Sequence, residues 1–195
     1  MKKGKQSVKN RIIDAAWELF HEKGYDNTTV DDIIRLSKTS KGSYYYYFES
    51  KDSLLSTLSD VLDEKYEELR ETMDPHQNSF DKLMYLCYEV HSMMEKKMDY
   101  ELLASLYSSQ LITKGDRHLL DQNRTYYKLI RSIVEEGQTR GEITSDKTAA
   151  EITKLYGLCE RALVSDWCMS KGEYSLGEYS REYMPLLFEH FREKQ

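Results

Sequence analysis

The segment from Thr28 to Lys51 constrains the fold of this chain more than any other part of the sequence. Its first half carries apolar residues at helical spacing, which end at Leu36. Four polar residues follow at positions 37–40, and they favour a turn. Ser40 can cap a second helix, because its hydroxyl can accept a hydrogen bond from a free backbone N–H of the first turn. We therefore predict two short helices joined by a tight turn.

The second of these helices has a composition that is unusual for a core helix. It opens at positions 41–43 with a lysine, a glycine and a serine, which suit a phosphate group near unpaired backbone N–H groups. Four consecutive tyrosines occupy positions 44–47. A helix cannot bury four neighbours on one face, so we expect Tyr44 and Phe48 to face inward and the other tyrosines to be exposed. Such a pair of helices is typical of a helix-turn-helix DNA-binding motif.

The residues around this motif resemble the TetR family of bacterial transcriptional regulators. The resemblance covers about 45 residues, from Arg11 to Leu55. It rests on Gly24, Tyr25, Thr28, Thr29, Ile33, residues 40–48, Lys51, Leu54 and Leu55. The turn departs from the family, which usually has an alanine, a glycine and a small aliphatic residue where this chain has Ser37, Lys38 and Thr39. Lys38 would take a left-handed position that glycine adopts more easily, at a cost of about 1 kcal/mol.

The resemblance also implies DNA contacts. Tyr45 and Tyr47 match positions that touch DNA across the family, and Lys51 matches a phosphate-binding lysine. Lys41 and Ser43 are our candidates for contacts to base edges, since lysine favours guanine O6 and N7 and serine is unselective. The full set of predicted DNA contacts is Thr29, Ser40, Lys41, Gly42, Ser43, Tyr45, Tyr46, Tyr47 and Lys51. The alternative is that the tyrosines are ordinary residues of a helix surface.

Charge is divided unevenly along the chain. Residues 1–51 carry 10 Lys or Arg against 7 Asp or Glu, and residues 52–195 carry 18 against 27, so an overall charge of −6 hides a basic N-terminal part. The basic excess lies with the predicted DNA-binding head, as contact with a phosphate backbone requires. The first seven residues are basic, and they are either an unstructured terminus or an arm that contacts phosphates.

Other features of the sequence argue against a membrane protein, an enzyme and a metal site. The three cysteines are odd in number and lie in helical patterns, which indicates reduced core residues. Neither a signal peptide nor a run of 18 apolar residues occurs, so we expect a cytoplasmic protein without a membrane partner. The sequence lacks a Gly-x-Ser-x-Gly elbow and a phosphate loop, and we expect neither an enzyme nor a cofactor. His91 and Glu95 are one helical turn apart, but without a second pair nearby we expect no metal site.

The rest of the sequence predicts only helices. It shows no strand alternation, and its apolar residues recur at three- and four-residue steps. We predict an all-α fold, with a three-helix head at residues 1–50 and a larger helical body for ligand binding and dimerisation at residues 51–195. One helix is expected between Ser50 and Pro75. Pro185 lies inside the last helical pattern, which predicts a kink or two segments.

The resemblance implies a ligand cavity in the body, where a few polar side chains lie among apolar ones. We expect His91 first, then Asn123 and Tyr127, to orient a ligand. The full set of predicted ligand contacts is Met84, Cys87, Tyr88, His91, Tyr107, Asn123 and Tyr127. The alternative for each is an ordinary core residue, since methionine at such spacing usually fills gaps.

These features predict a ligand-responsive DNA-binding transcriptional regulator, namely a repressor that a small-molecule effector releases from a palindromic operator. The resemblance implies a homodimer joined through the last two long helices, around residues 152–167 and 179–191. Such a two-fold dimer would place two recognition helices on double-stranded DNA. Two alternatives stay open on the same fold, a nucleoid-associated protein and an activator, each without a small-molecule inducer.

Overall fold

A computed structural model describes residues 7–113 and 117–193 of the chain. Within these ranges the chain forms ten α-helices and two short 3₁₀-helices, and its only β-pairing is one isolated bridge between Ile143 and Arg192. The predicted all-α fold is confirmed. The basic segment at residues 1–6 lies outside the described residues.

The helices alternate with short connections along the described residues. In order they are α1 (Val8–Lys23), α2 (Val30–Ser37), α3 (Lys41–Tyr47), α4 (Asp52–Leu55), α5 (Thr57–Thr72), α6 (Ser79–Lys97), α7 (Tyr100–Ile112), α8 (Thr125–Arg140), α9 (Ala149–Met169) and α10 (Leu176–Phe188), with 3₁₀-helices at His118–Leu120 and Glu189–Phe191. No helix among the described residues has the length and apolarity that crossing a membrane requires.

Two compact units make up the chain. The first contains Met1–Asp60 and Glu101–His118, and the second contains Val61–Tyr100 and Leu119–Gln195. The first unit therefore holds α1 to α4 and nearly all of α7, a helix that the sequence prediction assigned to the body. The second unit holds α6, α8, α9 and α10, and α5 begins in the first unit and continues in the second.

The helices of the first unit begin and end where local capping chemistry requires. Ser7 accepts a hydrogen bond from the backbone N–H of Asn10 at the start of α1, and Gly24 ends that helix with a φ of 81°. Thr29 and Asp32 form a reciprocal capping box at the start of α2. Both helices therefore start at residues whose hydroxyls satisfy backbone N–H groups of the first turn.

The segment after Ser50 differs from the single helix that the sequence predicts. It forms the short α4, and the longer α5 follows after one residue. The hydroxyl of Ser56 donates to the Ser53 carbonyl at 2.6 Å, and the hydroxyl of Thr57 donates to the Leu54 carbonyl at 2.6 Å. Such bonds compete with the helical ladder, which explains why the apolar rhythm continues while the helix is interrupted.

The core of the second unit is built from four helices. Helix α10 packs on α6 and α9, and α8 packs on the same two helices. Gly177 allows the close approach of α10 to α6, because a Cβ atom there would lie 2.1 Å from the Ser92 Oγ. Helix α10 runs through Pro185 as one α-helix and ends in a 3₁₀ turn, so the alternative of two separate helical segments is wrong.

Candidate DNA-binding surface and buried polar cluster

The turn between α2 and α3 is held by hydrogen bonds within the turn and by one from α1. Lys38 takes the left-handed conformation, with φ 53° and ψ 45°, as the missing family glycine predicts. The hydroxyls of Ser37 and Thr39 lie 2.8 Å apart, and the Arg11 guanidinium donates to the Ser37 carbonyl at 3.3 Å. Helix α1 therefore anchors the turn that sets the direction of α3.

Helix α3 begins as the sequence predicts. The Ser40 hydroxyl accepts a hydrogen bond from the Ser43 N–H at 3.0 Å, and the two hydroxyls are 2.9 Å apart. Lys41 is exposed, and its ammonium lies 3.8 Å from the Asp31 carboxylate, which is itself largely exposed. An ion pair of this kind contributes little, so the Lys41 side chain can exchange it for another anion.

The four tyrosines of α3 divide between the core and the surface. Tyr44 is fully buried, packs near Phe48 and donates its hydroxyl to the Ser50 carbonyl at 3.2 Å. Tyr45, Tyr46 and Tyr47 are 47 %, 80 % and 41 % exposed. The predicted division is confirmed, and α3 presents three aromatic side chains to solvent on one short helix.

Lys51 has a defined position beside this helix. Its ammonium donates to the Tyr25 carbonyl at 2.7 Å and lies 4.0 Å from the centre of the Tyr25 ring. The Tyr25 hydroxyl donates to the Asp52 carboxylate. Burial, together with this carboxylate, raises the pKa of Tyr25. These contacts hold the half-buried Lys51 side chain in one position, whereas a lysine on an open surface rotates freely.

The remaining predicted DNA contacts lie on the same segment. Thr29, Ser40 and Gly42 are exposed, and Ser43 is half-buried. The hydroxyl of Thr29 is already engaged, since it bonds the Asp32 carboxylate at 2.7 Å within the capping box. All nine predicted contacts therefore belong to the first unit, and their role in DNA binding stays a prediction.

The predicted ligand contacts divide into three groups. Met84, Cys87, Tyr88 and His91 lie on α6 and Tyr127 lies on α8, all in the second unit. Tyr107 lies on α7 in the first unit. Asn123 lies in the loop before α8, where its side chain is exposed and bonds the Asp121 carboxylate at 3.1 Å. The prediction that Asn123 lies on a buried apolar stripe is wrong, because α8 starts only at Thr125.

An open groove follows the outer side of α6. It has a volume of about 290 Å³ and is lined by Met84, Tyr85, Tyr88, Glu89 and Arg181. The Arg181 guanidinium stacks 3.9 Å from the centre of the Tyr88 ring. Tyr88 therefore contributes to a surface groove, whereas Cys87 and His91 point into the core of the unit.

A buried polar cluster, formed by Cys87, His91, Ser180 and Glu160, lies between α6, α9 and α10. The Cys87 Sγ is 3.6 Å from the His91 Nδ1, and that nitrogen is 2.6 Å from the Ser180 Oγ. The Glu160 carboxylate accepts a hydrogen bond from the Tyr126 hydroxyl at 2.6 Å. All four members of the cluster are buried.

Burial is the main cause of the pKa shifts in this buried polar cluster. It lowers the pKa of His91 to about 3, so the imidazole is neutral near pH 7. It raises the pKa of the Cys87 thiol, and it raises that of the Glu160 carboxyl to about 7 although tyrosine hydroxyls act in the opposite direction. Near pH 7 the cluster therefore combines a neutral imidazole, a thiol and a carboxyl group whose pKa is close to the pH of the solution.

Only part of this cluster could be predicted from the sequence. Cys87 and His91 are among the predicted ligand contacts, and the sequence spacing points to Glu95 as the carboxylate nearest to His91. In the structure Glu95 lies on α6, and its carboxylate reaches the start of α10, where it accepts hydrogen bonds from the Ser175 hydroxyl and the Gly177 N–H. The missed residue is Glu160. Its sequence signal was an acidic side chain four residues after a buried tyrosine in an otherwise apolar stripe.

Two family descriptions match adjoining parts of the chain. The description "Bacterial regulatory proteins, tetR family" matches residues 12–58. The description "YsiA-like protein, C-terminal region" matches residues 58–190. Together they span the first helix to the end of α10, and the second alone covers more than half of the chain.

Individual proteins agree with these matches. The chain is 28 % identical over 198 residues to the HTH-type transcriptional regulator HbdR of Aromatoleum sp. (strain CIB), covering 94 % of this chain and 80 % of HbdR. It is 53 % identical over 47 residues to the biofilm operon icaADBC negative transcriptional regulator IcaR of Staphylococcus aureus (strain Newman), covering 24 % of this chain and 25 % of IcaR.

A solved structure shares the fold over nearly the whole length. It is FadR of Thermus thermophilus, a TetR-family transcriptional repressor in complex with lauroyl-CoA, with a TM-score of 0.76 at 21 % identity and coverage of 96 % of both chains. The helix-turn-helix geometry of α2 and α3 agrees with the family matches and with the similarity to HbdR over 94 % of this chain. The chain belongs to the TetR family of bacterial transcriptional regulators.

Proposed function

We propose that the chain is a homodimeric repressor that binds a palindromic operator in the cytoplasm through α3 and leaves it when a small molecule binds the body. The observation that carries the proposal is the exposure of Tyr45, Tyr46 and Tyr47 beside Lys41 on a helix whose other face is buried. Aromatic side chains left in water gain from burial against a partner. Their hydroxyls and the lysine suit phosphate oxygens and base edges.

Two helices supply the surface for the proposed dimer. Both α9 and α10 leave apolar side chains exposed at helical spacing, namely Leu158, Ala162, Met169, Tyr183, Leu186 and Leu187. Exposed apolar side chains concentrated on two neighbouring helices are typical of an interface. We expect the interface to bury more than about 1,000 Å² in total.

A reporter assay tests the direction of regulation. Deletion of the gene is expected to raise transcription from promoters that carry the operator, and restoring the intact chain is expected to lower it again. A fall in transcription on deletion would identify an activator. Protection of DNA without discrete sites would favour a nucleoid-associated protein.

Lys51→Ala is expected to weaken binding to all DNA sequences to the same degree. A lysine held near phosphates contributes charge but no base information, so the slope of log affinity against log salt concentration is expected to fall by about one unit. Fluorescence anisotropy with the operator and with an unrelated duplex measures both slopes. Lys128→Ala, at an exposed lysine of α8, is the matched control. An unchanged slope for Lys51→Ala would exclude Lys51 as a phosphate contact.

An effector that releases the operator must obey reciprocity. It is expected to bind the free dimer more tightly than the operator complex, by the factor with which it weakens DNA binding, or about 5- to 150-fold. Lauroyl-CoA is the first compound to test, because the FadR neighbour was crystallised with it. Calorimetry with and without operator gives both affinities. For any compound that releases the operator, equal affinities in the two titrations would rule out release by this coupling.

A further inference from the structure

The buried polar cluster has the composition of a transition-metal site. Cys87 and His91 are four residues apart on α6, which places both on one face of the helix, and Glu160 reaches them from α9. Their ligand atoms, one from each residue, all lie within 4.8 Å of one another. A thiolate, an imidazole and a carboxylate are the three ligand types that zinc takes in proteins.

The distances fit a tetrahedral ion. Zinc–ligand bonds of about 2.0–2.3 Å place neighbouring ligand atoms about 3.3–3.8 Å apart. The Cys87 Sγ and the His91 Nδ1 are already 3.6 Å apart. The other pairs lie within 4.8 Å, so they need to close by at most about 1.5 Å, through a small shift of the Glu160 carboxylate.

Glu160 gives a second and independent indication. Its carboxyl group is buried and is held by the hydroxyls of Tyr126 and Tyr66, which carry no positive charge. Buried carboxylates are usually paired with a cation or bound to a metal. A divalent ion would meet one negative charge from the Cys87 thiolate and one from Glu160, so the buried site would be neutral overall.

We propose that Cys87, His91 and Glu160 form a binding site for a zinc-like divalent transition metal. Metal binding displaces the thiol proton of Cys87 and any proton on Glu160 to solvent, and His91 supplies a nitrogen lone pair. Three protein ligands leave the fourth position to an oxygen such as that of water. The Ser180 hydroxyl lies 2.6 Å from the His91 Nδ1, and the metal would replace this hydrogen bond. The metal would join α6 to α9.

Neighbouring hydroxyls can orient the ligands. The Tyr126 hydroxyl fixes one Glu160 oxygen at 2.6 Å, and the Tyr66 hydroxyl lies 3.5 Å from the other. Tyr126 is thus a positioning residue. Tyr126→Phe is expected to keep one metal per chain and to lower the affinity about 10- to 100-fold, as other losses around metal ligands do.

Metal binding to the untagged full chain tests the site without DNA, so the result does not depend on the proposed repressor function. Titration with Zn²⁺ against a chromogenic chelator is expected to give one tight site per chain. With Co²⁺ in place of Zn²⁺, a thiolate-to-cobalt charge-transfer band is expected. Cys87→Ser and Glu160→Gln are each expected to lower the Zn²⁺ affinity by at least about tenfold.

Two other cysteines provide matched controls. Cys159 and Cys168 are half-buried and lie outside the cluster. The double variant Cys159→Ser/Cys168→Ser is expected to keep both the stoichiometry and the cobalt band. This variant leaves the cluster intact, so it decides the assignment even if Cys87→Ser fails to fold.

Three results would overturn the proposal. They are the absence of a tight site, the loss of the cobalt band in the double cysteine variant, and a Zn²⁺ affinity that is unchanged in folded Glu160→Gln. The last result would exclude Glu160 as a ligand, and with it the three-residue site.

Discussion

Leu186→Glu combined with Leu187→Glu is expected to convert the dimer into a folded monomer and to lower operator affinity by at least about a hundredfold. The two side chains are 70 % and 50 % exposed in the single chain, so carboxylates there leave the core of the protomer intact. In the proposed dimer they would be buried without a partner, at a cost of about 3–5 kcal/mol, which corresponds to a hundredfold or more in affinity.

Sedimentation equilibrium measures the association, and circular dichroism measures whether the variant is folded. Leu120→Glu is the matched control, because Leu120 is also an exposed leucine of the second unit but lies outside α9 and α10. The control is expected to remain dimeric. If the double variant stays dimeric at micromolar concentration, the interface lies elsewhere. A wild type that is monomeric at that concentration would contradict the proposed two-fold dimer.

Tyr45→Ala is expected to weaken operator binding by about 1–3 kcal/mol, or roughly 5- to 150-fold, while the free energy of unfolding stays nearly constant. Tyr45 is half-exposed, so its removal leaves little cavity, whereas its hydroxyl and ring are placed for a phosphate or base contact. Anisotropy titration with the mapped operator gives the affinity, and urea unfolding gives the stability.

Tyr44 provides a comparison that separates an effect on DNA binding from an effect on stability. Tyr44→Ala removes a fully buried ring and is expected to cost about 3–5 kcal/mol of unfolding free energy. If Tyr45→Ala binds the operator as the wild type does, α3 is not the recognition helix. If it unfolds as readily as Tyr44→Ala, the exposed tyrosines have a structural role.

The part of the fold that follows from local chemistry could be predicted from the sequence. Ser40 and Thr29 cap their helices because their hydroxyls reach backbone N–H groups a few residues away, and such contacts depend on sequence spacing alone. The division of the tyrosines followed from the angle between successive residues of a helix. The left-handed conformation of Lys38 followed from the resemblance to a family that usually has glycine in this turn.

The features that escaped prediction depend on competition between hydrogen bonds or on contacts between residues far apart in the sequence. The break at Ser56 reflects hydroxyls that compete with the helical ladder, and the apolar pattern carries no trace of it. The exposed position of Asn123 escaped prediction because the start of α8 is poorly marked in the sequence: its N-cap, Arg124, forms no side-chain capping bond. Glu160 meets His91 only after α6 and α9 have packed, across 69 residues of sequence.

Footprinting of the dimer on the promoter that it regulates tests the central claim most directly. The account predicts one or a few discrete protected sites, each with two-fold symmetry and with half-sites about 34–36 Å apart or a multiple of that distance, since two copies of α3 must enter successive major grooves. Protection is expected to disappear with Tyr45→Ala at protein concentrations that saturate the wild type. Protection without symmetry, or symmetric protection that Tyr45→Ala leaves unchanged, would contradict operator recognition by a pair of α3 helices.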